Sequence, residues 1–425
     1  MESTKSDRRV RGPGSEKPAF SRAKSLRNEW NVLKLIHAKP NISRIELSKH
    51  TRLSAARITS IVDKLISQEL VVESGHSASA TVGRKPVSLS IRDDAGLVAG
   101  VDLGSFNTRV VITDLKGRTL HKHKSETRLA EGRELVISRT LRLIRQAIAD
   151  CGKPGNGLRG IGVGHSGVID VNGGVVLSFR RPGQMEEWKN VPLKKIIERE
   201  FGVPCLLEDS VRGSATAEQH FGLGTGLNDF IYVDAGMGIG AAIFLDGKLY
   251  RGPGGSAGEF GHITVDEHGP LCCCGNYGCL ETLASCAAII QAVRIAIEKG
   301  VNSRIHDLTN GDLSRISIEM IGQAALDSDG LCFRVLNQAV SHISVALADV
   351  VNLLNPHVLI FGGALFRSAP ELFLEPLKRA IKQRALEKSA NEVQLKISNL
   401  GGEAVALGVA RLISELVLEK LYQDA

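Results

Sequence analysis

The chain has 425 residues and a formal net charge of +7 at pH 7, and apolar residues make up 43% of it. This length accommodates two or three domains, and no run of about 18 apolar residues predicts a membrane span. The first twenty residues lack the apolar segment of a signal peptide, so we expect a cytoplasmic protein. Residues 1–92 hold 18 Lys and Arg against 8 Asp and Glu. All the excess positive charge therefore falls in this part, where it favours contact with nucleic-acid phosphates.

The N-terminal segment, residues 1–24, is rich in Ser, Gly, Pro, Lys and Arg and poor in apolar residues. Such a composition cannot offset the entropy lost on ordering, so it predicts a disordered basic arm. From Ser25 onward, apolar residues recur at three- and four-residue spacing until Pro40. This periodicity predicts a first helix that ends before the proline.

Two more helices are predicted beyond Pro40. Ser43 and Glu46 have the spacing of a capping box for a short second helix, in which Ile45 and Leu47 face inward. Ser54 caps a third helix, whose buried stripe comprises Ile58, Ile61, Val62, Leu65 and Ile66. The layout is that of a helix-turn-helix, whose second helix enters the DNA major groove. The candidate DNA contacts on its outer face are Ser54, Ala55, Arg57, Thr59, Ser60 and Lys64.

Two short strands follow, Val71–Glu73 and Val87–Ile91, and they are separated by a Ser- and Gly-rich stretch. They predict a wing whose tip carries Arg84 and Lys85, within reach of phosphate or the minor groove. We therefore predict a winged helix-turn-helix domain over residues 25–92. A small helical protein-binding module with a surface hairpin is the alternative.

A new fold begins after Asp94. The apolar run Leu97–Leu103 breaks into a glycine turn with Asp102 and Gly104 at its bend, and a return strand follows. A second loop of this kind, residues 234–240, lies between two further apolar strands. Glycines at such bends allow backbone N–H groups to approach a phosphate.

A compact group of metal-ligating residues follows the second loop. His262 precedes Cys272, Cys274 and Cys279, and four of the eight cysteines fall within residues 272–279. Zinc favours four N and S ligands in a tetrahedron, so we predict a Zn²⁺ site with these four ligands. Four protein ligands leave no open position, so the metal would be structural. Buried free thiols are the alternative.

The sequence around these ligands resembles the signature of a known family. The string Gly-Glu-Phe-Gly-His at 258–262, followed by Cys-x-Cys-Gly-x-x-Gly-Cys-Leu-Glu at 272–281, resembles the signature of the ROK family of sugar kinases and sugar-responsive repressors. The resemblance implies an α/β two-lobed domain of the actin-like ATPase (ribonuclease H-like) fold. Its first lobe would span 96–212 and be rejoined by a C-terminal helix at 403–425, and its second lobe would span 213–402. It also implies sugar contacts from Glu259, His262 and Glu281.

The chain departs from the pattern of the kinases of this family at three places. Where the kinases have an aspartate general base eight residues before a glutamate, counting back from Glu218 gives Ser210, which is a poor base. A register slip of one residue would make Asp209 the base instead. In the first phosphate loop, Ser105 and Phe106 replace a glycine and a threonine and are expected to crowd it, and in the second loop Met237 replaces a threonine. Asp209 and Ser210 are retained as candidate sugar contacts.

We therefore predict a transcriptional regulator, and specifically a repressor, with a degenerate kinase fold as its effector domain. Its partners would be a double-stranded DNA operator and a sugar or sugar phosphate, and it would form a homodimer or homotetramer. One alternative is a sugar kinase with an appended DNA-binding domain. A second alternative is a regulator controlled by a protein partner, in which the sugar-binding cleft between the two lobes is vestigial.

Overall fold

The computed structural model describes residues 17–39, 41–76, 87–152, 157–180 and 186–424, with backbone alone at 17–24 and 74–76. Residues 1–16 of the predicted arm lie outside the described residues, as do the predicted wing-tip contacts Arg84 and Lys85. The chain divides into two compact units, one of Met1–Ala95 with Leu418–Ala425 and the other of Gly96–Val417.

The smaller unit combines three helices with a small antiparallel sheet. The first helix begins at Lys17, so the prediction of a disordered segment up to residue 24 is wrong for residues 17–24. The three strands pair in the order β1-β3-β2, of which β1 was not predicted. The elements are α1 (Lys17–Ala38), β1 (Ile42–Ser43), α2 (Arg44–Thr51), α3 (Ala55–Ser67), β2 (Val71–His76) and β3 (Val87–Ile91).

Local sequence signals explain how the helices of this unit begin. Ser43 and Glu46 form the capping box that starts α2, and the hydroxyl of Ser54 accepts from the backbone N–H of Arg57 to start α3. Leu47 is fully buried, whereas Ile45 is 62% exposed, so the prediction that Ile45 faces inward is wrong. The α3 residues in the core are Ile58, Ile61, Val62 and Leu65.

The larger unit begins with a five-stranded sheet, a small three-stranded sheet and their helices. The five-stranded sheet has the order β11-β7-β4-β5-β6, and the small sheet has the order β10-β9-β8. In chain order the elements are β4 (Leu97–Leu103), β5 (Asn107–Asp114), β6 (Thr119–Glu126), α4 (Arg133–Asp150), β7 (Leu158–His165), β8 (Val168–Asp170), β9 (Val175–Phe179), β10 (Trp188–Val191), α5 (Leu193–Phe201), β11 (Cys205–Asp209) and α6 (Ser210–Phe221).

The rest of the larger unit contains a second five-stranded sheet, with the order β14-β13-β12-β15-β16, and most of the helices. In chain order the elements are β12 (Phe230–Ala235), β13 (Ile239–Leu245), β14 (Lys248–Tyr250), α7 (Leu280–Ala284), α8 (Cys286–Glu298), α9 (Arg304–Leu308), α10 (Ile318–Leu326), α11 (Gly330–Leu354), β15 (Val358–Gly362), α12 (Gly363–Ser368), α13 (Leu374–Arg384), α14 (Glu387–Glu392), β16 (Gln394–Ile397) and α15 (Ala404–Asp424).

The two five-stranded sheets have the same topology. In each, three consecutive strands pair antiparallel, and two later strands extend the sheet in parallel from the first of the three. Each sheet also places a glycine-containing turn between its first two strands. This duplication is the arrangement of the actin-like ATPase fold, which confirms the predicted fold class.

Helix α11 is long and apolar enough to cross a membrane, and 56% of its apolar window is buried within the fold. Its buried residues include Leu336, Ile343 and Leu347, which belong to the core of the second lobe together with Phe361 of β15. The composition of α11 is therefore accounted for by core packing.

Helix α15 packs closely against the first five-stranded sheet. A Cβ atom on Gly162 of β7 would lie 2.2 Å from the carbonyl oxygen of Val409, and one on Gly408 would lie 1.7 Å from that of Gly213. Glycine at these positions lets the helix backbone approach β7 and α6. The predicted division between residues 212 and 213 falls inside α6, whose Ala215 packs with Phe230 of the second sheet.

Candidate functional sites

The structure brings together the four predicted metal ligands, His262, Cys272, Cys274 and Cys279, with their ligand atoms within 4.8 Å of one another. The Sγ atoms of Cys274 and Cys279 are 3.7 Å apart, and Sγ of Cys272 is 3.5 Å from Nδ1 of His262. Bond lengths of about 2.3 Å to sulfur and 2.0 Å to nitrogen give tetrahedral edges of about 3.8 and 3.5 Å. The donor set and its spacing therefore fit a tetrahedral metal ion.

Two tight turns shape this cluster. The backbone N–H of Cys272 donates to the carbonyl of Asn276 at 2.7 Å, which closes the turn that carries Cys274. Gly278 has a positive φ of 62°, and a Cβ atom there would lie 1.5 Å from the carbonyl oxygen of Asp266. Only glycine fits this position, so the Gly278-Cys279 pair fixes where the last thiol points.

The predicted sugar-contacting acids flank the cluster. His262 directs Nδ1 toward the thiols, and its Nε2 lies 4.0 Å from a carboxylate oxygen of Glu259. The Glu259 side chain is 64% exposed and that of His262 is 32% exposed, so both are open to a ligand. Glu281, in the first turn of α7, accepts from the backbone N–H of Ile239 at 2.9 Å. Glu281 thereby joins the His262 cluster to the turn that contains Met237.

Asp209 and Ser210 lie where β11 passes into α6. The Asp209 carboxylate caps α6 by accepting from the backbone N–H groups of Val211 at 2.9 Å and Arg212 at 3.1 Å. Burial raises the pKa of Asp209 to about 6, although these hydrogen bonds and the charge of Arg212 oppose the increase. Ser210 is the first residue of α6 and is partly buried.

Arg212 links this helix terminus to the segment that precedes Glu259. Its guanidinium donates to the backbone carbonyls of Gly255 and Ala257, the latter at 3.1 Å. It also lies 3.6 Å from the fully buried carboxylate of Glu208, which pairs with Arg251 as well. Sequence reasoning missed this buried ion cluster of Glu208, Arg212 and Arg251. Glu208 lies in strand β11 and Arg212 in α6, so helical spacing in the sequence does not signal this pairing.

The two glycine turns each follow a strand that carries an aspartate, which is buried in the case of Asp102 and partly buried in the case of Asp234. Asp102 pairs with Arg109 on the adjacent strand at 3.1 Å, and burial raises the pKa of Asp102 to about 7 despite this pairing. Asp234 accepts from the Tyr232 hydroxyl at 3.1 Å, and burial raises its pKa too. Phe106 is 64% exposed, so it does not crowd the first turn as expected.

The outer face of α3 presents most of the predicted DNA contacts to solvent. Ser54, Ala55, Thr59, Ser60 and Lys64 are exposed, and Arg57 is partly exposed. Arg44 of α2 holds this helix in place by pairing with Asp63 at 2.8 Å and with Glu73 of β2. The smaller unit thus has a helix with a small, polar and basic surface at its N-terminal end.

Arg57 and Lys64 also converge on a buried carboxylate of α1 that sequence reasoning missed. Glu29, whose side chain is 8% exposed, accepts from Lys64 at 2.7 Å and from the hydroxyl of Tyr422 at 2.6 Å. Arg57 lies 3.9 Å from Glu29 and donates to Ser25. Burial favours a higher pKa for Glu29, but the hydrogen bonds from Lys64, Tyr422 and Ser25 outweigh it and lower the pKa. The end of α15 therefore packs beside two predicted DNA contacts.

Comparison with known sequences relates both units to described families. Residues 98–415 match the ROK family, and residues 26–72 match the family described as winged helix-turn-helix DNA-binding. A xylose repressor of Caldicellulosiruptor bescii is 32% identical over 392 residues, which is 92% of this chain and 96% of that protein. An N-acetylglucosamine repressor of Escherichia coli is 30% identical and covers 92% of this chain and 93% of its own length.

Solved structures give the same relation. A ROK family transcriptional regulator, described as a homologue of the E. coli Mlc protein, aligns with a TM-score of 0.77 and 30% identity over 94% of this chain and 99% of its own. A ROK family glucokinase from Streptomyces griseus, in complex with glucose and AMPPNP, aligns with a TM-score of 0.64 and 29% identity over 75% and 99%. The glucokinase alignment spans about the length of the ROK domain. The chain therefore belongs to the ROK family and carries a winged helix-turn-helix domain ahead of its ROK domain.

Proposed function

We propose that this chain is a sugar-responsive transcriptional repressor. The operator is double-stranded DNA contacted by α3, and the effector is a sugar or sugar phosphate bound beside Glu259, His262 and Glu281. The observation that carries the proposal is the start of α6, where a serine follows an aspartate whose carboxylate serves as the helix cap. This arrangement suits sugar binding better than phosphoryl transfer.

A sugar kinase needs a carboxylate that accepts the proton of the attacking hydroxyl. Ser210 stands at the position that corresponds to this base, and an alcohol does not take up a proton at neutral pH. The alternative base is Asp209, but its carboxylate already accepts two backbone hydrogen bonds. Reorienting it toward a substrate would leave the first turn of α6 uncapped.

The charged residues beside the glycine turns also argue against a kinase. A nucleotide triphosphate with its cation requires carboxylates that are free to interact with the metal. Asp102 is paired with Arg109, and burial favours its protonated form. By contrast, Glu259 and His262 remain accessible to a sugar. The glycine turns are thus less suited to binding a nucleotide than Glu259 and His262 are to binding a sugar.

The metal of the His262 cluster is proposed to be a structural Zn²⁺. Three thiolates and one imidazole form a closed donor set, which suits zinc and leaves no position for a reacting water. A zinc ion bound there supplies a rigid cross-link among the segments that carry the four ligands. His262 would then present its Nε2 edge, and Glu259 its carboxylate, in fixed positions toward the sugar.

The DNA contacts are proposed to be Ser54, Ala55, Arg57, Thr59, Ser60 and Lys64, with Arg84 and Lys85 at the wing tip. One recognition helix reads few base pairs, so paired half-sites and a homodimer or homotetramer are proposed. The relatives named as xylose and N-acetylglucosamine repressors support the proposal that the chain binds an operator. A cytoplasmic location is proposed as well, because a repressor has to reach its operator.

Operator binding in the presence of sugars tests the proposal. Genomic fragments selected by the full-length protein are used in gel-shift titrations at fixed salt, since affinity for DNA depends strongly on salt. Xylose, glucose, N-acetylglucosamine and their phosphates are added in turn. One of them is expected to weaken operator binding and to raise the thermal midpoint of the protein. If none changes either quantity, the effector assignment is wrong and control by a protein partner becomes the better explanation.

A separate assay tests the kinase alternative, because the glucokinase from Streptomyces griseus aligns with the ROK domain. A coupled assay with ATP and the same sugars is expected to show no turnover for the wild-type chain. The Ser210→Asp variant serves as a comparison, because it restores a carboxylate at the proposed base position. Ordinary turnover by the wild-type protein would overturn the assignment as a regulator without catalysis.

A further inference from the structure

Strand β6 carries two histidines on the covered face of the first sheet. His121 and His123 are directly opposite Ile112 and Val110 of β5, both of which are fully buried in the core. Side chains opposite one another in a sheet share a face, so both imidazoles lie on the side that packs against α4. Lys122 and Lys124, between and beyond them, are exposed on the other face.

The last residue of α4 completes the group. Asp150 ends this helix, and its carboxylate Oδ2 lies 2.9 Å from Nε2 of His123. One ligand atom from each of His121, His123 and Asp150 lies within 4.8 Å of the others. The two imidazole rings are 4.8 Å apart between centroids. Three ligand-type side chains from two elements thus meet at the edge of the sheet.

Two independent features indicate that a cation belongs at this point. Nε2 of His121 is buried and has no hydrogen-bond partner among the described residues, which is unfavourable for a polar atom. Asp150 places a carboxylate at the C-terminus of an 18-residue helix, where the helix dipole disfavours negative charge. A positive ion between the three side chains would satisfy the histidine nitrogen and neutralise the carboxylate together.

We propose that His121, His123 and Asp150 form a second metal site, separate from the cysteine cluster, for a divalent transition-metal cation. Two imidazoles and one carboxylate favour zinc, cobalt, nickel or copper over calcium and magnesium, which prefer oxygen ligands. Three protein ligands leave at least one position for water. The terminal torsions of His and Asp are broad, so small rotations bring the three atoms to bonding distance. The ion would fasten the edge strand β6 to the end of α4.

Cobalt titration of the full-length protein distinguishes this site from the cysteine cluster. One equivalent of Zn²⁺ per chain is added first, because the three thiolates and the imidazole of the cysteine cluster take it up ahead of the second site, and Co²⁺ is then added. One further equivalent of Co²⁺ per chain is expected, with visible d–d absorption and no thiolate-to-cobalt charge-transfer band. A charge-transfer band, or no binding of Co²⁺ by the wild-type protein, overturns the proposal and leaves His123 and Asp150 as a simple ion pair.

Ligand variants locate the bound cobalt. His121→Ala, His123→Gln and Asp150→Asn are each expected to weaken Co²⁺ binding by about tenfold or more, since even residues that merely support metal ligands affect affinity on that scale. His306→Ala is the matched control, because His306 lies 3.7 Å from Asp307 but belongs to neither group of potential metal ligands among the described residues. Retained zinc at the cysteines shows that each variant is folded. Unchanged Co²⁺ affinity in all three ligand variants would refute the proposal.

Discussion

Replacing Glu208 by glutamine would leave Arg212 and Arg251 without the carboxylate that pairs with both. Glu208 is fully buried and the Arg212 side chain is 6% exposed, so the charge of Arg212 would remain shielded from water. Removing one partner of a buried ion pair destabilises by about 3–5 kcal/mol, because the other charge is left uncompensated. We expect a loss of this size in the free energy of unfolding of the larger unit.

Calorimetry of the full-length protein measures this loss through the transition of the larger unit. At about 2.1 cal/mol/K per residue, a unit of roughly 320 residues has an unfolding entropy of about 0.7 kcal/mol/K. The midpoint of Glu208→Gln should therefore fall by about 4–7 °C. Arg251→Met should cost less, because Glu208 keeps Arg212 at 3.6 Å.

The matched control is Arg128→Met. It breaks the pair between Arg128 and Glu126, whose side chains are 58% and 70% exposed. An exposed pair contributes about 1 kcal/mol or less, so the midpoint should move by roughly 1 °C. Equal midpoint shifts for Glu208→Gln and Arg128→Met would refute the reasoning that burial makes the Glu208 cluster important.

Four further predictions concern the other sites. Arg57→Ala should weaken operator binding in gel shifts without changing sugar affinity. Ser25→Ala, which removes a partner of Arg57, should retain operator binding. Unchanged operator affinity in Arg57→Ala would contradict the placement of the recognition helix. Cys274→Ser should lose the metal and destabilise the sugar site and the oligomer, and metal analysis still giving one zinc per chain would exclude this. Tyr422→Phe removes a donor to the buried Glu29 carboxylate and should destabilise the smaller unit by about 1.5–3 kcal/mol. The loss should be visible as faster hydrogen exchange in α1, and unchanged exchange would argue against this role of Tyr422. Burial raises the pKa of Asp209 to about 6 from 3.8, so the folded state loses stability as pH rises from the lower to the higher value. The midpoint advantage of Asp209→Asn should therefore grow between about pH 4 and pH 6, and a constant difference would disprove it.

The parts of the molecule that could be predicted are those encoded in short stretches. The capping residues Ser43 and Ser54 and the apolar spacing of α3 act within one or two helical turns, so the helix-turn-helix is visible in the sequence. The cysteine cluster is also local, because three of its ligands lie within eight residues. The early start of α1 was missed because its first turns are basic and poor in apolar residues, although Pro18 is well tolerated near a helix start.

Contacts between distant residues account for what could not be predicted. Arg251 reaches Glu208 from 43 residues away, and Tyr422 reaches Glu29 from 393 residues away. Neither pairing leaves a periodic trace in the sequence, because each depends on how separate elements pack. The expectation that Phe106 crowds its turn failed for a related reason. Residue type indicates the size of a side chain, whereas the fold decides whether it points into the turn or into solvent.

A kinase and a sugar sensor place different demands on the same cleft. A sensor needs a ligand that binds two conformations with different affinity, and it needs no proton transfer. Glu259 and His262 are accessible and adjoin a closed set of metal ligands, so a sugar bound to them would contact a rigid part of the second lobe. Asp102, on the phosphate side, is buried and already paired with Arg109. On the proposal that Ser210 stands at the base position, we expect Ser210→Asp alone to give no efficient phosphoryl transfer. Ser210→Asp combined with Arg109→Thr is the more demanding test, because it also releases Asp102 from its arginine partner.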